Sequence, residues 1–82
     1  MLKTTVMRFT TDKNYKVFVY TNKGVITLPK AGYQGKDDMI WHAREAAWAR
    51  NLNVDRIRVY QEGYEQYPSD YTHTGKLILG YL

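Results

Sequence analysis

Residues 37–52 read DDMIWHAREAAWARNL and predict the only continuous helix of the chain, with strands and turns on both sides of it. The segment contains neither glycine nor proline and is rich in alanine, which is the composition that helices favour. Asp37 or Asp38 is expected to cap the first turn, and Asn51 or Asn53 to end the helix in a left-handed conformation.

The apolar residues of this helix fall on two strips instead of one when they are placed about 100° apart. The first is an alanine-rich strip, made of Met39, Ile40, Ala43, Ala46 and Ala47. The second runs beside Arg44 and is made of Trp41, Trp48 and Leu52. If the tryptophans face the sheet they form the core. If the alanine-rich strip faces the sheet, Trp41, Arg44 and Trp48 are left for a partner, and they belong to the residue types enriched at interaction hot spots.

The composition predicts one small folded domain covering residues 1–82, because 44% of the residues are hydrophobic and the length suits a single core. The chain contains no cysteine, which excludes disulfides, thiolate metal sites and cysteine nucleophiles. No apolar run approaches the roughly 18 residues of a membrane span, and no signal-peptide pattern begins the sequence. We therefore expect a cytoplasmic protein with no membrane partner.

The charge is unevenly distributed along the chain. The net charge is +4, yet residues 1–35 alone contain six basic residues against a single acidic one, Asp12. Such an excess favours nucleic acid, a nucleoprotein complex or an acidic protein surface as the partner.

The remaining segments predict an α+β fold with the element order β-β-β-α-β-β. The predicted strands are residues 2–10, 15–21, 25–28, 56–61 and 76–82. Residues 62–75 are polar and rich in tyrosine, and predict a long surface loop with room for a short strand. Short connections favour an antiparallel sheet of four to five strands, and one helix covers only one of its faces. The other face is then open to solvent or to a partner.

Alternation along two of these strands predicts a surface that combines aromatic rings with positive charges. Lys16, Phe18 and Tyr20 share one face of their strand, and Arg56, Arg58 and Tyr60 share one face of theirs. If the two faces coincide, the rings can stack on bases while the cations meet phosphates. The alternative is that the rings lie in the core and the lysines are ordinary edge charges. The predicted nucleic-acid-binding residues are Lys16, Tyr20, Lys23, Lys30, Arg56, Arg58 and Tyr60.

A second interpretation is a protein-binding surface, because tyrosine in the 62–75 segment provides rigid, amphipathic contact area. The predicted interface residues are Trp41, Arg44, Trp48, Tyr64, Tyr67 and Tyr71. In this version the chain is an inhibitor or accessory protein, and a homodimer is left open.

Metal binding and catalysis receive little support. Asp38 and His42 are one helical turn apart, with Glu45 on the same face and His73 in the loop, but a solvated polar face with contacts between residues four apart explains them better than a metal site does. The sequence contains no nucleophile elbow, phosphate-binding loop, zinc-protease motif or dinucleotide fingerprint. We predict a non-enzymatic binding module with no metal, no cofactor and no catalytic residue.

Two general resemblances accompany this prediction. The β-β-β-α order resembles that of compact DNA-binding domains which lay a three-stranded sheet in the major groove. The short, cysteine-free, tyrosine-rich composition is similar to that of small accessory and inhibitor proteins of phages and mobile elements. Both imply binding through a surface, and neither assigns a residue.

Overall fold

A computed structural model describes residues 14–29 and 33–80, which form one helix and a five-stranded antiparallel sheet. The elements are β1 (Tyr15–Thr21), β2 (Gly24–Thr27), α1 (Lys36–Ala49), β3 (Val54–Gln61), β4 (Ser69–Tyr71) and β5 (Leu77–Leu79). The strands lie in the order β2-β1-β3-β4-β5, and α1 packs against the sheet. The predicted α+β class is confirmed. The predicted first strand, residues 2–10, lies outside the described residues. The described sheet nevertheless has five strands, because β4 forms within residues 62–75, which were predicted to be a loop with room for a short strand.

The core lies between α1 and one face of the central strands. Alternation along β1 buries Tyr15, Val17 and Val19, and β3 buries Ile57 and Val59 beside them. The buried residues of α1 are Met39, Ile40, Ala43 and Ala47. The alanine-rich strip therefore faces the sheet, and its small side chains allow the helix to approach the strands closely.

The helix ends differ in how well the sequence predicted them. The N-cap residue of α1 is Gly35, and no side chain caps the first turn by a hydrogen bond. The expectation that Asp37 or Asp38 caps this turn was therefore wrong. Both aspartates lie within the first turn, where negative charge still favours the helix dipole. Asn51 adopts the predicted left-handed exit with φ of 61°. Within the described residues, no helix is long and apolar enough to cross a membrane.

Part of the tyrosine-rich segment, residues 62–75, is strand β4 and not surface loop. It pairs with β3 on one side and β5 on the other, so Ser69, Asp70 and Tyr71 are all buried. Tyr71, which the sequence analysis assigned to an exposed interface, is only 1% exposed and belongs to the core. Burial raises the pKa of the Tyr71 hydroxyl to about 12. The closing strand joins the sheet as expected, but at its edge, where all three residues of β5 are exposed.

Candidate functional site

The register of β1 and β3 brings the two predicted sets of aromatic and basic residues together. Lys16 lies opposite Tyr60, Phe18 opposite Arg58, and Tyr20 opposite Arg56. Directly opposed residues of an antiparallel pair project from the same side of the sheet. These six residues form the open face, which is the side of the sheet away from α1. The two sets therefore share a face, a point that the sequence alone had left open.

The rings of the open face are held in defined orientations. Phe18 and Tyr60 meet edge to face, with ring centroids 5.6 Å apart and planes at 87°. The guanidinium carbon of Arg56 lies 4.4 Å from the ring centroid of Tyr20. All three rings are half-buried and none belongs to the core cluster. They are therefore both oriented by neighbours and partly accessible from solvent.

Asp70 fixes one of the cations. Its register opposite Arg58 places it on the open face, where Arg58 donates two hydrogen bonds to the carboxylate, at 2.7 and 3.0 Å. The hydrogen bonds from Arg58 lower the pKa of Asp70 and raise that of Arg58 itself. A guanidinium nitrogen of Arg56 lies 3.8 Å from the same carboxylate. Arg58 is thus largely neutralised, while Arg56 and exposed Lys16 remain the more available positive charges. The sequence had placed Asp70 only within the predicted surface loop, residues 62–75.

A groove of about 390 Å³ runs along the open face. It is lined by Lys16, Phe18, Tyr20, Tyr60 and Glu65. Glu65 comes from the loop after β3, which is tied to the start of β1 by a hydrogen bond from the Glu62 amide to the Asn14 carbonyl, at 2.9 Å. Glu65 is not among the site residues predicted from the sequence, because no local pattern shows that this loop returns to the sheet.

Two further predicted cations lie elsewhere. Lys23 is exposed in the two-residue turn between β1 and β2, at the Tyr20 end of the open face. Lys30 lies outside the described residues. The described part of the open face thus contains three basic side chains, of which Arg58 is hydrogen-bonded to Asp70 and Arg56 lies within 3.8 Å of the same carboxylate. It is therefore less basic than the sequence alone indicated.

The outer side of α1 carries a second exposed aromatic surface. Trp41 is 53% exposed and Trp48 is 61% exposed, so neither is part of the core. The Arg44 guanidinium carbon lies 4.9 Å from the Trp48 ring centroid. We call Trp41, Arg44 and Trp48 the tryptophan face. Two tyrosines of the predicted interface, Tyr64 and Tyr67, are also exposed and lie in the loop after β3.

The polar helix face forms a local contact instead of a ligand cluster. Nδ1 of His42 lies 2.8 Å from the Asp38 carbonyl oxygen and 3.2 Å from its carboxylate. His73 is on the other side of the helix, beside Arg44 and Trp48. No group of three histidine or acidic side chains suited to a metal occurs among residues 14–29 and 33–80.

Comparison of the chain with models of protein families, with curated proteins and with solved structures found no match in any of the three. The candidate sites therefore have to be judged on their geometry and chemistry alone.

Proposed function

We propose that this protein binds single-stranded nucleic acid through the open face of its sheet. The observation that carries the proposal is the β1–β3 register, which sets three partly accessible rings beside three basic side chains on two neighbouring strands. Bases stack on aromatic rings for roughly 1–3 kcal/mol each, and lysine and arginine compensate the phosphates. Both kinds of contact are available on this one surface.

The shape of the surface favours a single strand over a duplex. The rings of Phe18, Tyr20 and Tyr60 are half-buried in the sheet and can be reached only by bases that have left their stack. The charges also favour a ligand of limited charge density, because Asp70 already compensates Arg58. An extended strand can lay its bases on the rings and turn its phosphates towards Lys16 and Arg56. We place this activity in the cytoplasm, which a cysteine-free chain tolerates.

The test is fluorescence anisotropy with a labelled single-stranded oligonucleotide and the matching duplex. We expect tighter binding of the single strand, with log affinity falling against log salt at a slope of about −1 to −2, since two to three cations are involved. Lys16→Gln should weaken binding and reduce that slope. Arg50→Gln removes the same charge on the helix side of the sheet and should change neither quantity. No binding at low salt, or equal losses in the two variants, would contradict the proposal.

The tryptophan face supports a second candidate function, which is binding to another protein. Its support is the exposure of more than half of each indole, with Arg44 stacked on Trp48. Tryptophan and arginine are the residues most enriched at interface hot spots. The partner is an inhibited or assisted protein, or a second copy of this chain.

A purified double variant, Trp41→Ala with Trp48→Ala, tests this candidate in two ways. Light scattering of the native protein would reveal a dimer, which the double variant should lose. Pull-down from the host cell should recover a partner with the native protein and not with the variant. Two results together would contradict binding through the tryptophan face: the native protein is a monomer, and its pull-down recovers the same proteins as that of the variant.

A further inference from the structure

The groove on the open face contains an acidic group that phosphate binding does not explain. Glu65 lines it together with Lys16 and the rings of Phe18, Tyr20 and Tyr60. A carboxylate repels phosphate, so a surface that only tracked the backbone would gain nothing from it. A carboxylate beside aromatic rings instead accepts hydrogen bonds from the edge of a base stacked on them.

The state of Glu65 suits this role. Its Oε2 accepts a hydrogen bond from the Gly63 amide at 3.2 Å, which orients the carboxylate within the loop. Hydrogen bonds from its own backbone amide and from Gly63, together with nearby Lys16, lower the pKa of Glu65. The group is thus an ionised acceptor at neutral pH, and its side chain still has unused lone pairs because each carboxylate oxygen accepts more than one hydrogen bond.

Taking the proposed function as its basis, we infer that the groove is a base-binding subsite in which Glu65 selects bases with an exocyclic amino group. Cytosine presents its N4 amino group, from which a glutamate accepts a hydrogen bond. Uracil has the same size and ring but presents a carbonyl oxygen at that position, which the carboxylate repels. Phe18 and Tyr60 provide the stacking surface, and Lys16 offsets the carboxylate charge so that the strand can still approach.

The volume agrees with such a subsite. A groove of about 390 Å³ lies within the range of roughly 300–1,000 Å³ found for small-ligand sites. The aromatic part accepts any base, and the single acidic group at the rim distinguishes one base edge from another. Specificity then resides in Glu65, while affinity resides in the rings and cations.

The experiment compares oligocytidylate with oligouridylate of equal length, by anisotropy at low salt. The native protein should prefer oligocytidylate by about tenfold, the effect of one charge-assisted hydrogen bond. Glu65→Gln should abolish the preference, because an amide donates to the uracil carbonyl as well as it accepts from cytosine. The glutamine oxygen can still accept from the Gly63 amide, so the loop should retain its conformation.

Asp55→Asn is the matched control. Asp55 is exposed and lines a different depression with Tyr20 and Arg56, so this change removes an equal charge outside the groove. It should strengthen binding to both oligonucleotides alike and leave their ratio unchanged. Equal affinities for the native protein, or a preference that survives in Glu65→Gln, would overturn the base-selection role while leaving the binding function intact. Failure of both oligonucleotides to bind would overturn the proposed function, and this inference with it.

Discussion

The open face of the sheet and the tryptophan face of the helix use the same residue types in different ways. Each places an arginine on an aromatic ring, Arg56 on Tyr20 at 4.4 Å and Arg44 on Trp48 at 4.9 Å. The rings of the open face come from two paired strands, and each is half-buried by its neighbours. The indoles come from one helix, and more than half of each is exposed.

This difference shows that the backbone, more than the composition, decides what such a surface can bind. Paired strands give a flat surface with rings at fixed spacings, which suits an extended ligand. A helix instead projects its two indoles outwards, which suits a complementary pocket in another protein.

The largest effect on stability is expected from a change in the core, on which both surfaces depend. Met39 is fully buried on the inner side of α1. Met39→Ala should lower the free energy of unfolding by about 2–5 kcal/mol, since it removes apolar contacts and leaves a cavity. Urea denaturation followed by circular dichroism measures this loss. A loss below about 1 kcal/mol would show that α1 is not packed on the sheet as described.

The next effect concerns the ion pair that shapes the open face. Asp70→Asn should cost about 1–3 kcal/mol of unfolding free energy, because it takes the charged acceptor from Arg58. Arg58 lowers the pKa of Asp70, so this stabilisation is present above the ordinary aspartate pKa and is lost as the pH falls through the lowered value. Unfolding measured across acidic pH should therefore show a steeper loss of stability in the native protein than in the variant. Parallel curves would contradict the ion pair's role.

A smaller effect separates the two surfaces in binding. Phe18→Leu keeps an apolar side chain but removes the ring from the open face. We expect oligonucleotide affinity to fall about tenfold, or about 1.4 kcal/mol, from lost stacking. Trp41→Leu makes a similar change on the tryptophan face and should leave that affinity unchanged. If Trp41→Leu lowered the oligonucleotide affinity and Phe18→Leu did not, the nucleic-acid site would lie on the helix.

The smallest effect is expected from the tryptophan face itself. Trp48→Ala should lower the unfolding free energy by less than about 1 kcal/mol, because the residue is 61% exposed and alanine is the better helix former, so that the contact with Arg44 is the main interaction lost. Thermal or urea unfolding checks this value. A loss of 2 kcal/mol or more, on the order of a core truncation, would mean that Trp48 packs against the protein.

Much of this arrangement follows from local sequence patterns. Alternation of period two predicted which residues of β1 and of β3 share a face, and for β3 also which of them point inward. The structure confirms both, with Lys16 and Arg56 lying away from the core. The helix pattern predicted two apolar strips but could not choose between them, because Trp and Ala strips both satisfy the period. That choice depends on how closely the helix approaches the sheet, which is a property of tertiary packing.

Other features depend on contacts between residues far apart in the chain. Tyr71 and Asp70 were read as loop residues because a three-residue strand is too short to show a period. Their burial comes from pairing with β3 and β5 on either side. Glu65 reaches the groove through the path of a loop, which composition does not encode. The two residues that local patterns did not identify, Asp70 and Glu65, are therefore the acidic groups that offset the positive charge of the open face.

The most direct test of the central claim is an NMR titration of the isotope-labelled protein with oligocytidylate, following each backbone amide. We expect saturable shifts at the backbone amides of six residues of the open face, Lys16, Phe18, Tyr20, Arg56, Arg58 and Tyr60. We expect no shift at Trp41, Arg44 or Trp48. Shifts confined to the helix residues, or none at all at low salt, would contradict the claim that the open face is the nucleic-acid-binding surface.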